Sequence, residues 1–214
     1  MLNCELDHLV VTAATLHDGV EYVRRALGVT PQMGGKHQLM GTHNCLIRLG
    51  YSTYLEVIAV DPSAPLPSRP RWFELDGLRA DDPPRLATWV ARVNDLRAAT
   101  AASPVPLGEI EPMSRGHLNW QITIPADGRL LYHGVSPMLI QWAPGPHPAS
   151  QLDDAGCSLV GLQGFHSDPR QITAMLSAVG FHGDFVAAPI SNQWNPYLAA
   201  MIQTPGGLRR LGAA

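Results

Sequence analysis

The sequence lacks the cysteines of a disulfide framework. Its 214 residues include three cysteines, an odd number at irregular spacing, and each lies next to strand-like sequence. Small folds held by disulfides carry an even and denser set. We therefore expect Cys4, Cys45 and Cys157 to be buried, reduced and unpaired, and no Cys-His motif points to a cysteine nucleophile.

Basic clusters and long apolar runs are also absent. The net charge is -3, and basic residues adjoin only in the pairs Arg24-Arg25 and Arg209-Arg210, so we expect no nucleic-acid partner. No apolar run approaches the roughly 20 residues of a membrane span. The first residues, MLNCELDHLVV, carry acidic groups where a secretory signal carries basic ones. We therefore expect a cytoplasmic protein that does not bind a membrane.

Strand and helix patterns recur along the chain in the order β-α-β-β-β. Residues 4–12 read as a strand, and the amphipathic helix that follows has Thr15 as its N-cap and Gly28 as its stop. Three short strands follow, around residues 31–37, 44–49 and 54–60. The second half repeats the strand and helix in LATWVARVNDLRAATAA and has further strands in GHLNWQITIP and PMLIQWAPGP.

These patterns predict an α+β protein of two tandem β-α-β-β-β modules and a partial third β-α-β unit at the C-terminus. The predicted divisions are a first module, a proline-rich connector, a second module and an accessory partial module, at residues 1–62, 63–84, 85–148 and 149–214. Trp72, Phe73 and Leu75 are too apolar for a free linker, so they should pin the connector to the body. The C-terminal unit should shield an edge or an apolar face of the modules.

Three residues of the first module are candidates for chemistry. His8 lies in the apolar run LDHLVV, Glu56 lies in YLEVIAV, and His37 follows a Gly-Gly pair. Side chains alternate along a strand, so His8 and Glu56 can face one cup, and an ionised Glu56 there needs a partner. Two imidazoles and one carboxylate are typical of a divalent metal site with open positions.

Simpler interpretations stand beside this one. His8 and Glu56 could form a buried hydrogen bond that only orders the core, and His37 could be a partly exposed turn residue. The remaining candidates are predicted to be surface or turn residues, since polar or proline-rich sequence surrounds them: His117, His133, His147, His166 and His182.

LDHLVV, GGKHQLMGTHN and YLEVIAVDP, in that order, resemble the glyoxalase-like branch of the vicinal oxygen chelate superfamily, over roughly residues 4–146. The resemblance implies that the paired modules form a cupped mixed sheet, with a divalent metal ion in the cup and vicinal substrate oxygens on its open positions. The resemblance implies His and Glu side chains as metal ligands. Together with the residues above, it leads us to predict His8, His37 and Glu56 as the metal ligands and Glu56 and His37 as the catalytic groups. It leaves the identity of the metal open.

The second module departs from the pattern. Glyoxalase I takes a ligand from the first strand and a carboxylate from the last strand of each module, whereas Thr88 and Gln141 stand in those places here. We expect five residues of this module to contact a substrate: Thr88, Arg115, Trp120, Gln141 and Trp142. Arg115, at the mouth of the module, is a candidate to hold a substrate carboxylate, and the simpler alternative is a solvated surface arginine.

The predicted function is that of a metal-dependent isomerase, lyase or dioxygenase acting on a small organic substrate with vicinal oxygens. The alternative is a metal-free protein that binds or sequesters a small molecule in the same cavity. In either case the partner is a small molecule, and a homodimer is compatible with the sequence.

Overall fold

The computed structural model describes residues 1–191 and 193–213. The first module comprises β1 (Cys4–Thr12), α1 (Leu16–Leu27), β2 (Gln32–His37), β3 (Thr42–Arg48) and β4 (Tyr54–Val60). The second comprises β5 (Arg85–Val93), α2 (Leu96–Ala102), β6 (Glu109–Arg115), β7 (Leu118–Ile124) and β8 (Met138–Trp142). The C-terminal unit comprises β9 (Ser158–His166), α3 (Pro169–Ala178), β10 (Phe185–Pro189), β11 (Tyr197–Thr204) and β12 (Gly207–Gly212). Short 3-10 segments occupy Trp72–Gly77, Leu131–Gly134 and Pro148–Gln151.

The two modules form one eight-stranded sheet in the order β2-β3-β4-β1-β5-β8-β7-β6. Each half has the same pairing, because β1 runs parallel to β4 and β5 runs parallel to β8. An antiparallel pairing between β1 and β5 joins the halves. The sheet curls into a half-barrel, so the predicted α+β fold of two tandem modules is confirmed.

The ends of α1 follow the sequence signals. The Thr15 hydroxyl accepts a hydrogen bond from the Asp18 N–H. Gly28 ends the helix with a φ of 73°, and its N–H donates to the Arg24 carbonyl. This left-handed conformation favours glycine, which explains the stop.

The C-terminal unit covers the helix-bearing face of the eight-stranded sheet. Its four strands form a second sheet in the order β10-β9-β11-β12. The Trp89 ring of β5 stacks on Phe185 at a centroid distance of 4.9 Å and meets Phe181 edge-on at 5.2 Å. The unit therefore shields an apolar face, and it adds two strands, β10 and β12, to the predicted strand, helix and strand.

The connector crosses the open side of the cup. Trp72, Phe73 and Leu75 are buried there and pack with apolar residues of both modules. All three cysteines are buried and free, as predicted. Within residues 1–191 and 193–213, no helix has the length and apolar character needed to cross a membrane.

Candidate functional site

A small cavity lies inside the cup, between the two modules. Its volume of about 20 Å³ gives room for roughly one water molecule. Trp72 and Phe73 of the connector belong to its wall. The other lining residues come from both modules: His8, His37, Tyr54, Glu56, Arg115, Trp120, Ile122, Ile140 and Trp142.

His8 presents one ring nitrogen to the cavity and binds a carboxylate with the other. The pairing of β1 with β5 shifts register between Leu6 and His8, so Asp7 departs from regular alternation. The His8 Nδ1 lies 2.7 Å from Asp7 Oδ1, and its Nε2 lies 3.6 Å from Glu56 Oε2. A neutral His8 therefore carries its proton on Nδ1, and the lone pair of Nε2 faces Glu56.

His37 ends β2 and has the same arrangement of ring nitrogens. Its Nδ1 lies 3.0 Å from the Thr42 hydroxyl, and its Nε2 lies 4.0 Å from Glu56 Oε1. Burial, together with the nearby Arg115 guanidinium, lowers the pKa of His37 to about 3. His37 is therefore neutral at pH 7.

Glu56 stands between the two imidazoles, and Asn44 of β3 holds it. The Asn44 amide donates to Glu56 Oε1 and accepts from the Gly35 N–H at 2.8 Å. A Cβ at Gly34 would lie 2.1 Å from the Asn44 Oδ1, so only glycine leaves room for this side chain. The Gly-Gly pair thus serves to orient the carboxylate.

Asp7 connects the site by hydrogen bonds to Trp142 and His147, which lie far from it along the chain. Its fully buried carboxylate also accepts from Trp142 Nε1 and from His147 Nε2, both at 2.9 Å. Burial alone would raise the pKa of Asp7, but the hydrogen bonds from His147 and His8 outweigh it and hold that pKa well below its usual range. His147 is a turn residue, since it caps the 3-10 segment Pro148–Gln151, but it is not a surface residue, because its side chain is largely buried against Asp7.

Three of the five predicted substrate-contacting residues lie in the cavity wall, namely Arg115, Trp120 and Trp142. The prediction for Gln141 is wrong. Its side chain accepts a hydrogen bond from the Leu96 N–H at 2.7 Å and thus faces α2, while its neighbour Trp142 faces the cup. Thr88 is fully buried opposite Val10 and is not part of the cavity wall, which corrects that prediction as well.

The donor types are those that bind a divalent metal ion, but the donor atoms lie farther apart than around a bound ion. Ligand atoms about 2.1 Å from a tetrahedral ion are roughly 3.4 Å apart. The separations of 3.6 and 4.0 Å from Glu56 are a few tenths of an ångström longer. In the described part of the chain, no group of three His, Cys, Asp or Glu side chains is arranged so that it could hold a metal ion as it stands.

Larger openings lie elsewhere but bring together fewer reactive groups. A groove of about 970 Å³ is lined by Tyr22, Phe165, Trp194 and Tyr197 among others, with His133 and Arg85 as its ionisable groups besides the tyrosines. Another of about 570 Å³ is lined mainly by charged residues, several of them paired with one another. Neither combines buried imidazoles with a buried carboxylate.

Comparisons with known proteins agree with this architecture. A family model described as a glyoxalase-like domain matches residues 6–180. A comparison with curated proteins gives no significant match. Among solved structures, a hypothetical protein from Staphylococcus aureus superposes with a TM-score of 0.60 at 15% identity, over 99% of this chain and 86% of that chain.

Two further structures superpose less closely, with TM-scores below 0.5. Methylmalonyl-CoA epimerase from Mycobacterium tuberculosis has a TM-score of 0.43 at 19% identity, over 66% of this chain and 88% of its own. A mutant of 4-hydroxymandelate synthase from Streptomyces coelicolor has a TM-score of 0.48 at 15% identity, over 99% of this chain and 63% of its own. The Staphylococcus aureus structure supports the fold alone, and these two have no bearing on function.

Proposed function

The chain belongs to the glyoxalase-like branch of the vicinal oxygen chelate superfamily, and on that premise we propose that it is a metal-dependent enzyme. The ion would be held by His8, His37 and Glu56, and the substrate would be a small organic molecule with vicinal oxygens. The observation that carries the proposal is the convergence of both Nε2 atoms on the Glu56 carboxylate. Each Nδ1 is already engaged, by Asp7 or by Thr42, which is how metal-binding histidines are oriented.

The residues around the cavity would supply binding, orientation and proton transfer. When bound, a divalent ion would act as a Lewis acid on a substrate oxygen. No described residue donates a hydrogen bond to Glu56 Oε2, so this oxygen is free to take a proton from a substrate carbon. The mainly aromatic and apolar wall leaves room for roughly one water molecule, and such a small apolar cavity would strengthen electrostatic interactions inside it.

Two chemistries are open to this arrangement. Proton transfer at Glu56 would support an isomerase or a lyase. Iron held by two histidines and one carboxylate would support dioxygenase chemistry.

One observation favours a second candidate, a metal-free binding protein. The Arg115 Nη1 lies 3.3 Å from His37 Nε2, and Asn44 already donates to Glu56. His37 Nε2 and Glu56 Oε1 are therefore already paired within the chain itself. In this case the same cavity would bind a small molecule without a metal.

Metal stoichiometry distinguishes the two candidates. Protein purified without an affinity tag would be analysed for metals, stripped, reloaded and assayed, together with His8→Ala, His37→Ala and Glu56→Gln. If the protein is a metalloenzyme, the wild type should contain about one ion per chain. Each variant should lose most of its metal content while its fold stays nearly unchanged. His117→Ala, at an exposed position, is the control and should retain the ion.

If the wild type takes up no divalent ion under any loading condition, and the variants differ from it only in thermal midpoint, the metalloenzyme proposal is wrong. The metal-free binding protein would then account for the cavity.

A further inference from the structure

We propose that the substrate carries an anionic group, and that the Arg115 guanidinium and the Trp72 indole N–H form the subsite that binds it. The inference rests on the proposed function in that it concerns the same cavity, but it makes a separate statement about which molecules bind there.

The first observation is that Arg115 lacks a counter-charge. No carboxylate of residues 1–191 and 193–213 lies within 4.0 Å of its guanidinium, although the side chain is partly buried in the cavity wall. Three other arginines with buried or partly buried side chains have carboxylate partners, namely Arg69 with Glu111, Arg71 with Asp76 and Arg92 with Glu5, whereas Arg48 donates to a backbone carbonyl. A buried cation without a partner is costly, so Arg115 is set to receive an anion.

The path of the Arg115 side chain shows that it is positioned for the cavity. Arg115 ends β6, and its side chain crosses to β2 of the other module. A Cβ at Gly35 would lie 2.8 Å from the Arg115 Cδ, so the glycine gives the side chain room to pass. The guanidinium then reaches His37, with Nη1 at 3.3 Å from Nε2.

The second, independent observation is an unpaired donor in the same wall. Trp72 is 3% exposed, and its Nε1 has no hydrogen-bond partner among the residues that the structure describes. A buried N–H without an acceptor is costly, so most such groups in proteins are paired. The Trp72 ring meets His37 edge-on at 5.1 Å, so Trp72 and Arg115 flank the same imidazole. A carboxylate has enough acceptor oxygens to satisfy both donors.

The rest of the wall indicates the body of the substrate. Phe73, Ile122 and Ile140 are apolar, and the rings of Trp120 and Trp142 lie 5.2 Å apart. An aromatic or otherwise apolar molecule with one carboxylate therefore matches the cavity.

An organic molecule must open the cavity to enter it, since the closed volume is about that of one water molecule. The connector is the part of the roof that departs from relaxed backbone geometry. Phe73 and Glu74 have φ values of 59° and 58°, a conformation that non-glycine residues rarely adopt. Strain of this kind is concentrated in ligand clamps and switch regions.

The contact between Arg115 and His37 links anion binding to metal binding. The nitrogen that accepts from Arg115 is the one proposed to bind the ion, so loading the site would release the guanidinium. The two ligands should therefore increase each other's affinity, and the factor must be the same in both directions.

The test uses phenylacetate and its neutral counterpart phenylacetamide, titrated calorimetrically into the metal-loaded and the metal-stripped full chain. We expect phenylacetate to bind the wild type about 10-fold to 100-fold more tightly than phenylacetamide. Arg115→Met should remove this preference and Arg115→Lys should retain part of it. Trp72→Phe, which keeps the ring but lacks the N–H, should weaken phenylacetate about 3-fold to 10-fold.

Arg97→Met, at an exposed position of α2, is the matched control and should bind as the wild type does. Circular dichroism and thermal midpoints identify any variant that fails to fold. If Arg115→Met does not fold, the affinities of Arg115→Lys and Trp72→Phe for phenylacetate test the subsite instead. The inference is overturned if phenylacetate does not bind at millimolar concentration, if the two probes bind equally, or if Arg115→Met keeps the preference.

Metal content measured on the same samples keeps the two proposals separate. A metal-free wild type with an Arg115-dependent preference for phenylacetate would overturn the metalloenzyme and support the anion subsite. A wild type that binds metal but shows no such preference would support the metalloenzyme and overturn the anion subsite.

Discussion

At the scale of single residues, Asp7 has the most demanding environment of the site. Its carboxylate is fully buried and accepts hydrogen bonds from His8, Trp142 and His147. Three donors compensate for burying the charge, and together they set the orientation of the His8 ring. Asp7 is therefore a positioning residue, since it acts on the cavity through His8.

Asp7→Asn tests this role. An amide nitrogen cannot accept a hydrogen bond, so either one of the three buried donors loses its acceptor or His8 must move its proton from Nδ1 to Nε2. We expect the free energy of unfolding to fall by about 3 kcal/mol, measured by denaturant titration. Asp127→Asn, at an exposed position, should change it by less than about 0.5 kcal/mol. Equal effects in the two variants would mean that the Asp7 network contributes no stability.

The buried thiol of Cys4 should make the folded protein less stable at alkaline pH. Burial, with Glu5 nearby, raises the pKa of the Cys4 thiol to about 12. The unfolded chain ionises near its ordinary pKa of about 9 while the folded chain does not, so the stability present below pH 9 is lost between about pH 9 and 12. At pH 10.5 this loss is about 2 kcal/mol. Thermal midpoints from pH 8 to 10.5 should fall less steeply in Cys4→Ala, and equal slopes would contradict the assignment.

Some residues of the site can be recognised from the sequence and others cannot, and the difference has physical reasons. His8 and Glu56 are recognisable because a charged or polar group in an apolar strand needs a partner. Asp7 is harder, because its role depends on a register shift between β1 and β5. His147 gives no local signal, since its partner lies 140 positions earlier in the chain.

At the scale of elements, the close approach of β2 to β3 holds the site together. Gly34 lets the Asn44 side chain pass, and Asn44 orients Glu56. Gly35 does the same for Arg115 of β6. Two adjacent glycines thus allow one strand to support both the carboxylate and the guanidinium.

Gly34→Ala should therefore disturb the site. Its Cβ would lie 2.1 Å from the Asn44 Oδ1, so Asn44 must move and release Glu56. We expect a lower thermal midpoint and weaker Co²⁺ binding. Gly50→Ala is the matched control, because the nearest atom to its Cβ would be 3.7 Å away. If Gly34→Ala matches Gly50→Ala in both measurements, the proposed support of Glu56 is wrong.

Elements are predictable from sequence where local signals mark them. Thr15 and Gly28 delimit α1, as predicted. Asp168 caps α3 and Pro169 lies in its first turn, and both residue types favour a helix start at these positions. The C-terminal strands β10 and β12 lack such signals. FVAAP is short and ends in proline, and GLRRLG carries two arginines, so these strands are specified by their pairing with β9 and β11.

At the scale of the whole molecule, both sheets share one hydrophobic core. Buried residues of the modules and of the C-terminal unit belong to the same cluster, among them Trp89 on β5 and Ile202 on β11. The cup has its own apolar lining beneath the connector. The chain should consequently unfold as one unit, although the repeated module order alone would allow separate domains.

Ile202→Ala tests this cooperativity. Ile202 is fully buried, and its truncation should cost about 3 kcal/mol. The loss should appear as one shifted transition, with tryptophan fluorescence and far-UV circular dichroism coinciding. Two separate transitions, with only one of them shifted, would show that the C-terminal unit folds independently.

The position of a bound metal ion tests most directly whether His8, His37 and Glu56 form a metal site. A crystal of the full chain loaded with Co²⁺, an ion that imidazole and carboxylate ligands bind well, would be measured at the cobalt absorption edge. If these three residues bind one ion, an anomalous peak will appear in the cup, within coordination distance of His8 Nε2, His37 Nε2 and the Glu56 carboxylate. An empty cup, or a peak found only at surface histidines, would contradict a metal site formed by these three residues.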